Sequence, residues 1–313
     1  MLKHDVLAIG ELNVDLVMTG FKTPPTLGQE IFADGLSLVL GSSTAIAACA
    51  MSSLGLGVAF YGKVGTDPYG QVVADFLKRY KIDTEFVHTS SAIKTGITVA
   101  LSCGYDRALC TYMGGSIDGF TAWDVPDEAI KSARHIHVGS FFLQPKIRDG
   151  LSALFKRAHS YGVTTSLDAG WDDTGVFDYG IRDVLQHTDF FFPNETEALN
   201  ITKCDNVPDA ARDLARFCKT VVVKCGEKGA ILVSGDRSLE GLPYPTTPID
   251  TTGAGDTFNA GFMYALLNGK SLEECLRYGN AAGSISVTRM GGTTACPALD
   301  EVEGLIDRRG RNL

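Results

Sequence analysis

Asp250-Thr-Thr-Gly-Ala-Gly-Asp256 is the stretch of this chain best equipped for chemistry. Gly253 and Gly255 allow a tight turn closed to most residues. The spacing of Phe258, Phe262, Ala265 and Leu266 predicts an amphipathic helix from about Asp256, stopped by Gly269. A glycine turn that opens a helix aims several N–H groups outward at the positive end of the helix dipole. That is a seat for an anion, phosphate above all. Asp256 lies within the seat. Its carboxylate can cap the helix, or it can take a proton from a hydroxyl attacking a phosphorus held by those amides. The turn alone leaves both readings open.

Other residues have types and spacings that admit chemistry. Asn194 and Glu197 stand as N-cap and N3 of a helix, which by spacing is a capping box. Gly226 and Gly229 follow the strand expected at 220–224 and make either an ordinary turn between strands or a loop that leaves Lys224 near phosphates. Asn13 and Asp15 come just past the first strand. They can be turn-formers, but an exposed amide and carboxylate also pair well with polyol hydroxyls. Gly269-Lys-Ser271 imitates the end of a phosphate-binding loop, yet Tyr264 occupies the position where that pattern needs glycine. His135 and His137 alternate on a strand and read as structural. No Gly-x-Gly-x-x-Gly follows the first strand, which argues against a nicotinamide-dependent oxidoreductase.

The elements that must hold these residues alternate. Strands are expected at 5–9, 58–61, 135–138, 164–168, 189–192, 220–224 and 230–233. Helices are expected at 42–54, from Pro68, at 127–133, 145–161, 180–187, from Glu195, at 208–218, at Asp256 and from Ser271. This order predicts an α/β fold, a doubly wound, mostly parallel sheet covered on both faces, with ligands beyond the carboxyl ends of the strands. Residues 95–102 and 109–113 read as a hairpin around Cys103–Arg107. Together with 12–40 they predict a small β lid outside the main layer. The 313 residues suit one domain, 1–313, with lid segments about 12–40 and 95–113 inserted.

A formal charge of −9 and a pI near 5.2 disfavour nucleic acid and anionic membranes as partners. The eight cysteines are scattered, with no C-x-x-C pair, as suits free thiols in a reducing cytosol. Asp5, Glu11 and Asp15 interrupt the N-terminal apolar run, so a signal peptide is not expected, and no apolar run is long enough for a membrane span. A cytoplasmic protein is the expectation.

Asp250–Asp256 resembles the second signature of the ribokinase-like (PfkB) family of carbohydrate kinases. Gly10-Glu-Leu-Asn-Val-Asp15 resembles the family's N-terminal sugar-contacting segment, and Gly41 to Asp67 its first signature region. Pro193-Asn-Glu-Thr-Glu197 resembles its N-x-x-E motif, and Lys224-Cys-Gly-Glu-Lys-Gly229 its nucleotide loop. The blocks follow the family order over nearly the whole chain. The resemblance implies an ATP-dependent kinase acting on a hydroxyl of a sugar or sugar-like small molecule. It implies Asp256 as base, with the amides of Gly253, Ala254, Gly255 and Asp256 around the γ-phosphoryl group. Asn194, Lys224, Gly226, Gly229 and Asn280 would serve the nucleotide, and Asn13, Asp15, Gly41 and Ser42 the acceptor. Mg2+ would be organised through water by Asn194 and Glu197, K+ would lie beside the seat at Asp250 and Thr252, and a homodimer would form through the lids. A nucleoside kinase of the same fold and a non-catalytic metabolite-binding relative are the alternatives. An intact seat with Asn194 and Glu197 argues against the second of these.

The chain departs from the family pattern on the acceptor side. Leu40-Gly41-Ser-Ser-Thr-Ala45 lacks one glycine and places Ala45 where relatives carry a sugar-contacting Asn. Gly170 stands where many relatives carry Asn. Ala45, with Arg107 on the hairpin near the acceptor, predicts that ribose is a poor substrate and a modified or acidic sugar a better one.

Overall fold

Alternate residues of a strand face opposite sides of its sheet. In the first strand, β1 (His4–Ile9), Val6 and Ala8 join one apolar core while Leu7 and Ile9 join another. Both faces of β1 are therefore covered, which is why Val6–Ile9 reads as an unbroken apolar run. The structure is a computed structural model and describes residues 3–103 and 106–310, with the backbone only at 106, 107, 309 and 310. The further strands are β2 (Asn13–Thr19), β3 (Gly35–Leu40), β4 (Val58–Gly65), β5 (Val87–Ser90), β6 (Gly96–Cys103) and β7 (Asp106–Tyr112). After them come β8 (Ala133–Val138), β9 (Thr164–Leu167), β10 (Phe190–Phe191), β11 (Thr220–Lys224), β12 (Ala230–Ser234) and β13 (Arg237–Gly241).

Among the described residues the main sheet runs β13-β12-β11-β10-β9-β8-β1-β4-β5. Pairing is parallel from β11 to β5, and β12 and β13 add an antiparallel edge. The chain leaves β1 for β4 on one side and later fills β8 on the other. This reversal of strand order opens a crevice at the carboxyl ends. Gly10 and Glu11 follow β1 there, Gly139 and Ser140 follow β8, and Asp168 follows β9. Asn194 stands just beyond β10, bridged to Lys224 at the end of β11.

The helices are α1 (Ser43–Ser53), α2 (Pro68–Arg79), α3 (Asp127–Lys131), α4 (Pro145–Arg148), α5 (Leu151–Ser160) and α6 (Ile181–Leu185). They continue with α7 (Glu195–Thr202), α8 (Val207–Leu214), α9 (Ala254–Leu267), α10 (Leu272–Ser286) and α11 (Leu299–Gly310). Residues of α1, α2, α9 and α10 cover one face of the sheet, and those of α3 to α8 cover the other. Among the described residues no helix is long and apolar enough to cross a membrane.

Several sequence expectations are corrected. The single helix expected at 145–161 is two, separated at Asp149–Gly150, with Lys146 drawn to Asp118 through both its N–H (2.8 Å) and its ammonium group. The strand expected at 189–192 is only two residues long. β13 and α11 were not foreseen. β13 is an edge strand with mostly exposed side chains, so it carries little apolar signal.

A second sheet, β3-β2-β6-β7, stands apart from the first. β6 and β7 form the expected hairpin, and β2 pairs antiparallel with β3 and parallel with β6. Asp67, which caps α2 through Gly70 N, also accepts from Thr95 N at 2.8 Å and so ties the hairpin to the main body. Ile97, Val99 and Leu101 are half-buried, while Leu36, Leu109 and Tyr112 stand 58–69% exposed.

Candidate active site

Gly253 is the N-cap of α9, with φ of +71° and no side-chain cap bond. A β-carbon there would lie 2.9 Å from Ile46 Cγ2 and 3.0 Å from Gly292 Cα, so glycine is needed for conformation and for space alike. The Ala254 N–H closes the turn onto Thr251 O at 3.3 Å. The Gly255 and Asp256 amides lie in the first turn, where a helix leaves donors unused. The turn is buttressed from behind. Asp250 accepts hydrogen bonds from Thr252 N (2.9 Å), Thr252 Oγ1 (2.6 Å) and, through its other oxygen, Gly291 N (2.8 Å).

Asp256 does not serve as the cap of its own helix. Its Oδ1 instead accepts from Ser43 Oγ at 2.5 Å, across the cleft from the first turn of α1. Burial, and then the negative charge of Asp168, push its carboxyl up to about 7, against the lowering effects of the Ser43 hydrogen bond and Lys224. Beneath it lies a dense polar group. Lys224 Nζ donates to Asp168 Oδ2 at 2.6 Å, and Asn259 Nδ2 donates to the same oxygen at 2.9 Å. Burial alone would raise Asp168, but the charge and hydrogen bond of Lys224, with help from Asn259, hold it below the usual carboxylate range. The Lys224 ammonium stands 3.2 Å from where a β-carbon on Gly255 would lie, so a fixed positive charge flanks the amide seat.

Asn194 and Glu197 form a complete capping box: Asn194 Oδ1 accepts from Glu197 N and Glu197 Oε2 from Asn194 N, both at 2.8 Å. Glu197 is nevertheless only 6% exposed, and burial followed by Asp168 lifts its carboxyl to about 8. Among the described residues no cluster of three or more His, Cys, Asp or Glu side chains forms a metal cage. The pair suits a cation that keeps water and phosphate oxygens as most of its ligands.

Beside Lys224 a cavity of about 490 Å³ is lined by Gly226, Gly229, Tyr244, Phe258 and Asn280. Asn280 is 5% exposed, and its Nδ2 has no hydrogen-bond partner among the described residues. An apolar-walled cleft with an unspent amide at one end and a lysine and helix N-terminus at the other has the make-up of a nucleotide site.

The residues expected to meet an acceptor lie where the second sheet joins the main body. Asn13 Nδ2 donates to Asp15 Oδ1 at 3.1 Å. Asn13 is buried at 4% exposure, not exposed as the sequence suggested. A β-carbon on Gly41 would lie 2.2 Å from Asp15 Oδ1 and 2.5 Å from Asn13 Nδ2, so only glycine lets these three approach. The hydroxyl of Ser42 is engaged as the N-cap of α1, accepting from Ala45 N at 3.0 Å and donating to Glu11 O at 2.7 Å. The group that reaches Asp256 is its neighbour Ser43, which the sequence reading passed over.

The expectation for Ala45 is corrected. Its side chain is wholly buried in the core, so no acceptor group can rest against it. One residue turns a helix by about 100°, and it is Ile46 that reaches Gly253 and Gly292. Gly170 has φ of +66°, and a β-carbon there would meet Ser140 Cα at 2.8 Å. Arg107 falls in β7, but its side chain lies outside the described residues. His135 and His137 are buried and bonded to Thr164 and Ser166. Gly269 (φ +73°) ends α9, and Ser271 caps α10 with Glu274.

Known proteins resemble this chain over nearly its whole length. The sequence profile described as "pfkB family carbohydrate kinase" matches residues 3–299. Ribokinase of Bacillus subtilis is 28% identical over 305 residues, covering 97% of this chain and 99% of the relative. An uncharacterized sugar kinase of Archaeoglobus fulgidus is 32% identical over 254 residues, covering 79% of this chain and 98% of that one. The solved structure of Arabidopsis thaliana ribokinase, complexed with ribose and ATP, superposes with a TM-score of 0.85 at 26% identity, covering 97% of this chain and 98% of that one.

Proposed function

This chain belongs to the pfkB family of carbohydrate kinases, and from that premise we propose how its residues carry out ATP-dependent phosphorylation of a hydroxyl on a sugar or sugar-like small molecule. The observation that carries the assignment is Asp256. It lies in the first turn of α9, beside Lys224 and the amide seat, with a carboxylate already bonded to a hydroxyl from the opposite wall.

Asp256 takes the proton of the acceptor hydroxyl as that oxygen attacks the terminal phosphorus of ATP, and ADP leaves. The amides of Gly253, Gly255 and Asp256, with Ala254 completing the turn, face the charge spreading over the phosphoryl oxygens. Lys224 adds a fixed positive charge beside them. Asp168 and Asn259 keep Lys224 in place. Gly226 and Gly229 border the nucleotide cleft, and the unspent Asn280 amide meets the base. Asn13, Asp15 and Gly41 hold the acceptor hydroxyls, and Ser42 shapes the backbone beside them.

Asn194 and Glu197 would hold Mg2+ through water, and the ion would supply charge neutralisation between the phosphates. K+ would sit behind the seat, near Asp250, Thr252 and the loop at Arg289–Gly291, ordering the turn without touching substrate. Identical rates in sodium, potassium and large organic cations at matched ionic strength would remove that assignment. The exposed apolar residues of the lid support a homodimer through this sheet. The eight free thiols support a reducing, cytoplasmic setting. With Ala45 buried in the core, the expectation of a modified or acidic sugar loses its basis, and the acceptor is proposed as a sugar or sugar-like small molecule. ADP release measured across ribose, fructose, deoxy sugars, sugar acids and nucleosides tests the whole reading. Higher activity on nucleosides than on every sugar overturns the acceptor assignment, and no ADP release above background with any of them overturns the kinase assignment.

A further inference from the structure

We propose that Ser43 is a positioning residue for phosphoryl transfer: its hydroxyl holds one carboxylate oxygen of Asp256 so that the other is presented to the acceptor. The inference rests on the reading of Asp256 as the base. Ser43 Oγ donates to Asp256 Oδ1 at 2.5 Å, joining the first turns of α1 and α9 across the mouth of the cleft. An ionised carboxylate has two equivalent oxygens and turns freely about its last bond. One fixed hydrogen bond removes that freedom and leaves a single oxygen for the incoming proton.

The chain takes a strained path to place this hydroxyl. Ser42, immediately before it, has φ of +70° and ψ of 121°, a conformation that L-residues rarely adopt. Strain of this kind persists only where the surroundings hold it. Here the Ser42 side chain bridges Glu11 O and Ala45 N, while Thr44 Oγ1 donates to Glu11 Oε2 at 2.8 Å. Three consecutive hydroxyls are thus each tied across a gap. Ser42 and Thr44 anchor the start of α1 to the loop after β1, and Ser43, between them, is left half-exposed and aimed at Asp256. The conformation is one that glycine adopts freely and serine rarely, and its effect here is to aim residue 43.

The groups around Asp256 come from several elements: Asp168 after β9, Lys224 on β11, Glu11 after β1, Glu197 on α7, and Cys296 near the C-terminal end of the site. Asp168 and Glu11 raise the carboxyl, while Ser43 and Lys224 lower it. A hydroxyl donating to the ionised form favours that form. Losing Ser43 should therefore disorder the base and also move its titration to higher pH.

The test compares Ser43→Ala, Ser43→Thr and Ser43→Val with wild type, using the best sugar from the panel and saturating ATP and Mg2+. Thr and Val share a shape and differ by the hydroxyl, so their contrast isolates the hydrogen bond even if Ala perturbs the helix start. The expected result is a kcat roughly tenfold lower for Ala and Val, a KM for ATP within about twofold of wild type, and substantial rescue by Thr. The acid limb of kcat/KM should also move to higher pH in Ala and Val. Equal activity of Thr and Val, whether both high or both low, overturns the proposal. Asp256→Asn measured alongside keeps the two readings apart. Turnover retained in that variant removes the base itself, whereas its loss with Ser43→Val fully active removes only the role of Ser43.

Discussion

On the side of the cleft proposed for phosphate, recognition would rest on backbone amides, a helix N-terminus and one clamped lysine. On the side proposed for the acceptor it would rest on side chains where a separate sheet meets the main body. α9 is packed between α1 and α10, with Asn259 and Phe262 wholly buried, so the core holds the helix behind its partly exposed first turn. Asn13 and Asp15 belong to β2, one strand of a four-stranded sheet whose apolar residues are largely half-covered. The contrast follows from what each side must recognise. A phosphoryl group has one shape and one charge, and a fixed constellation serves it. Acceptors differ in the number and placement of hydroxyls, so side chains there can change without disturbing the fold.

The largest expected effect breaks the phosphate side. Asp256→Asn should lower turnover by roughly 10²–10⁴ while sugar affinity stays near normal. In wild type, kcat/KM should fall about tenfold per unit as pH drops below about 7, because the base is active only when ionised and burial holds its carboxyl there. A pH profile flat from 5 to 8, with chemistry rate-limiting, would contradict the assignment.

Next in size is the clamp beneath the seat. Lys224→Met leaves Asp168 buried without its partner and should cost roughly 3–5 kcal/mol of stability, read as a lowered denaturation midpoint. Lys224→Met combined with Asp168→Asn should recover most of that stability but not the activity. If the double variant is as unstable as the single, the pair is not the source of the effect.

A smaller change separates cap from metal. Glu197→Gln keeps one acceptor for Asn194 N but loses the one that Asn194 Nδ2 uses at 2.8 Å, so the melting temperature should fall modestly. The Mg2+ concentration for half-maximal rate should rise severalfold. An unchanged titration would return Asn194 and Glu197 to a capping role.

The smallest effect on chemistry should come from the lid surface. Leu109→Glu combined with Leu36→Glu places charge on exposed apolar positions of the edge strands. Sedimentation should then find a monomer, with the KM for sugar raised more than the KM for ATP. A wild type already monomeric at micromolar concentration and fully active would remove the dimer.

What could be read from the sequence follows the same division. The Gly253–Asp256 turn was legible because glycine conformation, helix start and capping are local matters. The strand ends at Asn194 and Lys224 were legible because apolar runs such as Phe190–Phe192 and Val221–Val223 mark buried strands. The Ser43–Asp256 bond was not, since its partners are 213 residues apart and neither residue type implies the other. The Asp168–Lys224 pair, 56 residues apart, was hidden in the same way. At Ala45 the helix was foreseen, but its rotation about its own axis was not. That angle depends on what covers α1, and the cover is α9, encoded near the other end of the chain.

That long separation also sets a schedule. A ribosome adds roughly 5–20 residues per second, so the 213 residues between Ser43 and Asp256 take about 10–40 s to emerge. Throughout that interval the small apolar residues of α1, Ala45 to Met51, lack the helix that later covers them. β1 likewise waits for β8, its partner on one side. The half of the protein made first is thus held open until the half made last arrives, and during synthesis its apolar surface is available to chaperones and to neighbouring nascent chains.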